Sequence, residues 1–218
     1  KMKIIYKFLK NIFFKFKYTR LIIYLNRPQY KKFKIFNNLK EDSVFLDFGA
    51  NVGEISRYVS TISNCFVYAY EPHPKAFEIL KLNLLGYKKV KLINEGVGEK
   101  SKKSLLYYYL SDDQNLTLKH SVSASVYNYG NFNREINIKI NSISDILKNF
   151  KYIDCIKIDI EGSEYEILPD IFKNRKKIGM VVCELHGLNE SQNLEHKKNS
   201  VLKYIDDNNL HEWFKIWV

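Results

Sequence analysis

One stretch near the start of the chain, Ser43 to Gly53 (SVFLDFGANVG), constrains the fold more than any other. A short apolar run ends at Asp47 and passes into a glycine-containing turn, after which Glu54 to Ile62 has the pattern of a helix. A buried strand, a glycine turn and a helix N-terminus form the nucleotide-binding corner of open α/β sheets. Glycine suits this corner because it lets the backbone approach a ligand closely and adopt positive φ. We therefore expect an α/β sheet with a ligand at this turn.

The turn differs from the dinucleotide fingerprint G-x-G-x-x-G, because Asn51 takes the place of the second glycine after Gly49. The carboxylate of Asp47 at the strand end suits a cationic ligand better than a pyrophosphate. S-adenosylmethionine (SAM), with its sulfonium, amine and ribose hydroxyls, is such a ligand. An ordinary strand-to-helix turn is the alternative, since a glycine turn alone is a weak motif.

A second apolar run, Cys65 to Tyr70, also ends in a carboxylate, Glu71, which Pro72 follows. Glu71 comes 22 residues after Gly49, close to the spacing of about 20 expected for the acid that binds a ribose diol. The alternative is that Glu71 caps the next helix, over Lys75 to Leu84, which Pro74 is well placed to open. After a third strand, the backbone at Gly96 and Val97 is expected to lie against an adenine edge.

Two later strands bring further acids and a histidine to their C-terminal ends. The stretch from Ile153 to Glu164 ends in Asp159 and Glu161, and the strand from Gly179 ends in Glu184 and His186, whose i, i+2 spacing puts both side chains on one face. Ligands in open α/β sheets bind at those strand ends. We predict that Asp159, Glu161, Glu184 and His186 are catalytic, against the alternatives of a helix cap and a structural histidine.

The chain's charge is divided unevenly. Residues 1–40 contain twelve Lys/Arg and no Asp/Glu, whereas the remaining 23 basic and 24 acidic residues leave residues 41–218 near neutral. The high pI therefore gives little support to a nucleic-acid enzyme. The three cysteines lie in apolar runs without CxxC spacing, so we expect reduced packing thiols and a cytoplasmic protein.

The basic N-terminal arm, residues 1–40, precedes the domain that we place at residues 41–218. Lys1 to Arg20 has the pattern of a basic amphipathic helix, and Leu21 to Leu25 is far shorter than the ~20 residues of a membrane-spanning helix. No small-residue cleavage site follows, so a secretory signal is not expected. The arm is expected either to cover the sheet or a partner subunit, or to lie on an anionic membrane surface.

With these stretches in order, the sequence resembles the FkbM family of SAM-dependent methyltransferases, from about Val44 to His186. The resemblance rests on LDFGANVG, AYEPHP, LINEGVG, SVSASV, KIDIEGSEYEIL and VVCELH. It implies a Rossmann-like class I methyltransferase fold, α/β, with a mostly parallel seven-stranded sheet and helices on both faces. It also implies methyl transfer to a hydroxyl, often on a sugar or natural product. The resemblance implies that Asp47, Gly49, Asn51 and Gly53 form the SAM loop, that Glu71 is the ribose acid, and that Asp159 and Glu161 are the acids beside the reacting methyl. Gly96 departs from the family, which often has alanine there. Pro72, Gly96, Val97 and Asp159 are also expected to bind the cofactor.

The expected reaction needs an acceptor oxygen aligned with the S–CH₃ axis and a route for the hydroxyl proton. The four predicted catalytic groups can act as a general base, or they can hold a divalent metal that lowers the hydroxyl pKa, and the sequence does not decide between the two. The polar segment from Ser111 to Asn133 is expected to form part of the acceptor pocket.

Three rival functions remain to be weighed. An NAD-dependent oxidoreductase lacks the second fingerprint glycine. A nucleic-acid methyltransferase would use Pro-Pro-aromatic or Pro-Cys motifs, and neither dipeptide occurs, so we expect no nucleic-acid partner. A non-catalytic SAM-binding module is disfavoured by the acids at the strand ends.

Overall fold

The computed structural model describes residues 28–109, 124–128, 132–187 and 192–217. The predicted amphipathic helix from Lys1 to Arg20 and most of the polar segment from Ser111 to Asn133 lie outside these ranges. The chain divides into two compact units, residues 1–38 and 39–218. In the first unit the described part is a 3₁₀ helix, Pro28–Phe36. Within the described ranges, no helix is both long and apolar enough to cross a membrane.

The described part of the second unit contains ten strands and five α-helices. The strands are β1 (Val44–Phe48), β2 (Phe66–Tyr70), β3 (Val90–Ile93), β4 (Gly96–Gly98), β5 (Lys102–Tyr108), β6 (Ala124–Ser125), β7 (Arg134–Ser142), β8 (Ile153–Ile158), β9 (Ile178–Cys183) and β10 (Phe214–Ile216). The helices are α1 (Glu54–Ser63), α2 (Pro74–Asn83), α3 (Ile143–Lys148), α4 (Glu164–Lys173) and α5 (Gln192–Asp207), and a 3₁₀ turn, Arg175–Lys177, precedes β9.

The larger sheet has six strands in the order β10-β9-β8-β1-β2-β3, and all of its pairs are parallel. The chain runs from β1 towards β3 on one side and from β8 towards β10 on the other. The order therefore reverses between β1 and β8, which is where an open α/β sheet forms a ligand crevice beyond the C-terminal strand ends. Ser163, Glu184 and Glu71 all follow strands that end at this edge.

Apolar side chains bury both faces of the larger sheet. On one face, Leu46 and Phe48 pack with Ile156 and Ile158 against the α4 residues Ile167 and Ile171. Successive strand side chains point to opposite faces. Asp47 therefore points the other way, and it accepts a hydrogen bond from Ser56 of α1. The predicted helices on both faces are thus confirmed. The three cysteines are free and buried, as the sequence predicted.

A second sheet of four strands, in the order β4-β7-β5-β6, stands in place of a seventh strand of the predicted sheet. Strand β7 pairs parallel with β4 and antiparallel with β5, which itself pairs antiparallel with β6. Ile138 and Ile140 are buried while Lys139 between them is exposed. This alternation belongs to a sheet with one solvated face, not to the doubly covered parallel sheet, whose strands are continuously apolar.

Candidate active site

An open cleft of about 750 Å³ lies at the C-terminal ends of β1, β2 and β8. Eight of the residues predicted from the sequence line it: Gly49, Asn51, Glu71, Pro72, Gly96, Val97, Asp159 and Glu161. Apolar residues of the second sheet complete the wall: Leu106, Ala124, Val126, Ile138 and Ile140. The cleft therefore combines a polar edge from the larger sheet with an apolar wall from the smaller one.

The glycine turn packs directly against the end of β8. Gly49 has a φ of 76°, and a Cβ atom there would lie 1.8 Å from the backbone oxygen of Asp159. The backbone N–H groups of Gly49 and Ala50 both donate to the Tyr70 carbonyl, at 3.1 and 2.9 Å. Because these contacts leave no room for a side chain, glycine is required at position 49 by the close approach of two strand ends.

Glu71 is buried, and backbone N–H groups hold its carboxylate. Its Oε2 atom accepts the N–H of Asn51 at 2.8 Å and its Oε1 atom accepts the N–H of His73 at 2.7 Å. Burial raises the pKa of Glu71 to about 7, although both hydrogen bonds oppose that rise. Glu71 therefore joins the glycine turn to the end of β2 and presents an oriented carboxylate to the cleft.

Asp47 is placed differently from the prediction, because it does not line the cleft. Its side chain is completely buried and lies between Ser56 Oγ, 2.6 Å from Oδ2, and Lys157 Nζ, 3.3 Å from Oδ1. Within the described residues, Oδ1 has only this ion-pair contact and no hydrogen bond. The acid at the end of β1 thus pairs with a lysine inside the sheet.

Lys157 is the partner that the sequence analysis missed. It is almost completely buried in β8, donates to the Gly49 carbonyl at 2.7 Å, and lies 3.5 Å from Asp159 Oδ2. Burial lowers the pKa of the Lys157 amine, but the charges of Asp47 and Asp159 outweigh burial and raise it. One ammonium therefore fixes the glycine turn, the buried Asp47 and the acid at the end of β8.

Gly53 also lies outside the cleft wall. It is the N-cap of α1, with a φ of 85°, and a Cβ atom there would lie 2.5 Å from Leu80 Cδ1. The close approach of Leu80 therefore favours glycine at this helix start.

The four predicted catalytic groups form one cluster, in which His186 lies close to each of the three acids. Its Nε2 atom lies 3.9 Å from Asp159 Oδ1, 3.5 Å from Glu161 Oε2 and 3.8 Å from Glu184 Oε1. On its other side, the fully buried Glu164 accepts the His186 backbone N–H at 2.8 Å and lies 3.3 Å from Nδ1. Two of the four predicted groups, Asp159 and Glu161, line the cleft, and neither Glu184 nor His186 is part of that wall.

The electrostatics of this cluster favour a protonated imidazole when no other cation is present. Burial lowers the pKa of His186, but the hydrogen bond to Glu164 and the charges of Glu164, Glu161 and Asp159 outweigh it and raise that pKa to about 9. Burial also raises the pKa of the Glu161 carboxyl. The site therefore concentrates negative charge at the end of β8 and β9.

Two buried polar atoms on the cleft wall have no hydrogen-bond partner among the described residues, His73 Nε2 and Ser163 Oγ. His73 Nδ1 accepts the N–H of Ala76 at 3.4 Å as the N-cap of α2, so the ring proton of the neutral side chain belongs on Nε2. Burial lowers the pKa of His73, which favours this neutral form. Unsatisfied buried polar atoms are rare in native structures, and a bound ligand is one explanation for them.

The described part of the polar segment contributes to the site as well. Ser125 Oγ donates to the Glu161 carbonyl at 2.7 Å, and Tyr127 donates its hydroxyl proton to Glu166. Ala124 and Val126 line the cleft. The rest of the segment, residues 111–123 and 129–131, lies outside the described ranges.

Comparisons with known proteins identify the family. A family model described as the methyltransferase FkbM domain matches residues 47–213. Methyltransferase sdnD of Sordaria araneosa is 24% identical over an alignment of 161 residues, and the match covers 62% of this chain and 62% of that protein. The match therefore spans less than two thirds of that relative's length.

Solved structures with a similar arrangement include an rRNA methylase from Streptococcus thermophilus, at 12% identity and a TM-score of 0.45, covering 84% of this chain and 80% of that one. SMU.1697c of Streptococcus mutans, whose structure is a complex with SAH, aligns at 12% identity and a TM-score of 0.47, covering 84% and 82%. These scores are too low to support an inference about function. The family model, in contrast, covers more than half of the chain and both strand-end motifs, and the chain belongs to the FkbM methyltransferase family.

Proposed function

We propose that this methyltransferase is SAM-dependent and transfers the methyl group to a hydroxyl of a sugar or glycan. The observation that carries the proposal is a single cleft lined both by Glu71, the expected ribose acid, and by Asp159 and Glu161, the carboxylates at the end of β8. Family membership supports the methyl transfer, and the proposal adds the donor and the class of acceptor.

The cofactor end of the cleft suits the adenosine of SAM. An ionised carboxylate has about four acceptor sites, and Glu71 uses two of them for backbone N–H groups, so two remain for the ribose hydroxyls. The Nε2–H of His73 can donate to an acceptor atom of the same ligand. Gly96 suits close approach by the adenine, since the wall there is backbone and carries no side chain.

The proposed reaction is a single displacement at the methyl carbon. The acceptor oxygen forms a bond to that carbon while the carbon–sulfur bond breaks and its electron pair goes to sulfur, so that the sulfonium becomes a neutral thioether. The hydroxyl proton passes to a carboxylate on the cleft wall, for which we propose Glu161. Alignment of the two reactants supplies most of the acceleration, and the base adds on the order of 10²–10⁴-fold.

The acceptor proposal rests on the charge and polarity of the reacting end. The side chains of Asp159, Glu161 and Glu184 are 33%, 35% and 39% exposed, so their oxygens can accept hydrogen bonds from a polyol. The same negative charge would repel the phosphates of a nucleic acid, because like charges in a partly buried site destabilise a complex.

Calorimetry with S-adenosylhomocysteine (SAH) and turnover of SAM against a panel of glycosides, sugar nucleotides and short nucleic acids would test the proposal. We expect saturable SAH binding and methylation of a sugar hydroxyl. Glu161→Gln should lower kcat by roughly 10²–10⁴-fold with little change in SAH affinity, whereas the exposed control Glu99→Gln should leave both unchanged. Absent SAH binding, or methylation confined to nucleic acids, would refute the proposal. SAH binding without turnover of any acceptor would favour a non-catalytic module.

A further inference from the structure

The strand ends of β8 and β9 place three side chains of different chemistry around one point. Asp159, Glu184 and His186 each offer one ligand atom, and these three atoms lie within 4.8 Å of one another. Ligands held about 2.1 Å from a common cation stand about 3–4.2 Å apart, depending on the coordination angle. The separations of His186 Nε2 from Asp159 Oδ1, 3.9 Å, and from Glu184 Oε1, 3.8 Å, fall within that range.

The orientation of His186 matches that of a metal-binding imidazole. The Glu164 carboxylate already accepts N–H groups from Gly162 and from the His186 backbone, and as an ionised acceptor it requires the ring proton on Nδ1. The lone pair of the neutral ring then lies on Nε2, which faces Asp159 and Glu184. A buried carboxylate on the far nitrogen is the usual support of a histidine that ligates a metal.

Two further observations, one on charge and one on hydrogen bonding, concern the neighbourhood of Asp159 and the cleft wall. Four carboxylates, those of Asp159, Glu161, Glu164 and Glu184, surround one imidazole, and Lys157 lies on the Oδ2 side of Asp159, which leaves Oδ1 towards the cluster. Ser163 is 4% exposed and lines the cleft. Its Oγ atom has no hydrogen-bond partner within the described residues. A divalent cation would reduce the excess of negative charge around His186. A ligand in the cleft would supply a hydrogen-bond partner for the Ser163 hydroxyl.

We propose that Asp159 Oδ1, Glu184 Oε1 and His186 Nε2 bind one divalent cation at the acceptor end of the cleft. Two carboxylates and one imidazole suit Mn²⁺ or a similar first-row ion better than Ca²⁺, which prefers oxygen ligands alone. The side chains of Asp159, Glu184 and His186 are 33%, 39% and 16% exposed, so coordination positions remain open to a hydroxyl. The role of the cation, which rests on the proposed function, is to bind the acceptor oxygen and lower its pKa.

Mn²⁺ titration of the chelator-treated full chain, followed by the loss of the free-ion electron paramagnetic resonance signal, tests the site without SAM or acceptor. We expect one tightly bound Mn²⁺ per chain and at least a tenfold weaker affinity in Glu184→Gln. The matched control Glu78→Gln changes a surface carboxylate that pairs with Lys81, and it should bind Mn²⁺ like the wild type.

Electron spin-echo measurement on wild-type protein loaded with Mn²⁺ gives a second readout that does not depend on a variant folding. Coupling to an imidazole ¹⁴N nucleus is expected, and it should persist in the control His211→Gln, whose histidine is exposed beside Asp206. Failure to retain Mn²⁺ at millimolar concentration, or a spectrum without ¹⁴N coupling, would overturn the site. Methyl transfer by metal-free protein would then leave the proposed function intact. Mn²⁺ binding with ¹⁴N coupling but without methyl transfer would support the cation site and contradict the proposed function.

Discussion

Replacing Lys157 by methionine tests how much the buried ammonium of this residue contributes to stability. The substitution keeps most of the apolar volume but removes the ammonium that lies 3.3 Å from Asp47 and donates to the Gly49 carbonyl. The carboxylate of Asp47 is completely buried, so it would be left with the Ser56 hydroxyl alone. The other partner of Lys157, Asp159, is 33% exposed, so water would compensate for most of the ion pair that it loses.

The size of the expected loss of stability follows from the burial of Asp47. Removing one partner of a buried ion pair costs about 3–5 kcal/mol, because the other charge stays desolvated. The matched control is Lys148→Met: its ion pair with Asp145 is shorter, at 2.8 Å, but both side chains are mostly exposed. A surface pair of this kind contributes about 0–1 kcal/mol. Lys148→Met should therefore lower the free energy of unfolding by less than Lys157→Met, although its ion pair is the shorter one.

Urea unfolding with linear extrapolation measures both free energies. Combining Lys157→Met with Asp47→Asn should recover part of the loss, since Asp47 then no longer leaves an unpaired buried charge. It also gives a folded reference if the single variant does not fold. A loss in Lys157→Met no larger than in Lys148→Met would refute the view that the lysine compensates a buried charge.

Three further outcomes are expected. The pKa of Glu71 is raised to about 7 in the ligand-free protein, and ribose hydroxyls need the ionised form. SAH affinity should therefore fall by up to tenfold per pH unit below about pH 7 and level off above it. Glu71→Gln should bind roughly 1–3 kcal/mol more weakly above that pH and lose the pH dependence, and calorimetry that finds equal wild-type affinity at about pH 6 and pH 8 would contradict this. Gly49→Ala should abolish SAH binding and destabilise the protein by more than Gly86→Ala. Both glycines have positive φ, but a Cβ at Gly86 would meet nothing within 4 Å, so only strain of about 1–2 kcal/mol applies there; equal losses on urea unfolding would show that the contact with Asp159 is unimportant. Residues 1–40 should bind anionic vesicles in a manner that weakens with salt, because they carry twelve basic and no acidic residues. A chain that starts at Glu41 should lose vesicle binding in a sedimentation assay and keep turnover, and aggregation of that chain together with indifference of the full chain to vesicles would instead favour a packing role.

The sequence predicted the elements whose signals are local. The buried strands near Asp47, Glu71 and Asp159 are mostly apolar, and each is followed by a helix, of which α2 has Pro74 in its first turn as a start signal. Strand-end chemistry was predictable for the same reason: parallel strands bring their C-terminal ends to one edge, so the order of motifs along the chain implies their proximity.

Long-range pairing was beyond the sequence. Lys157 lies in the middle of an apolar strand, and a buried lysine needs a partner, but nothing local identifies Asp47, 110 positions earlier, as that partner. The sequence therefore predicted only a ligand contact for Asp47, and the structure adds its buried ion pair with Lys157. Glu164 was overlooked for a similar reason, because its contact with His186 joins α4 to the segment after β9. The separate four-stranded sheet was also missed, since β4 is three residues long and two of them are glycine.

The position of β1 has a consequence for how the chain folds during synthesis. β1 is central in its sheet, and β2 follows it closely, but its other neighbour, β8, begins 109 residues after Val44 and binds it through the side chain of Asp154 as well. Synthesis at about 5–20 residues per second leaves the apolar edge of β1 without that neighbour for roughly 5–20 seconds. The intervening chain contains all four strands of the second sheet. An unpaired strand edge invites association with other chains, so the nascent protein passes through a stage in which a central strand of the folded sheet is open to aggregation.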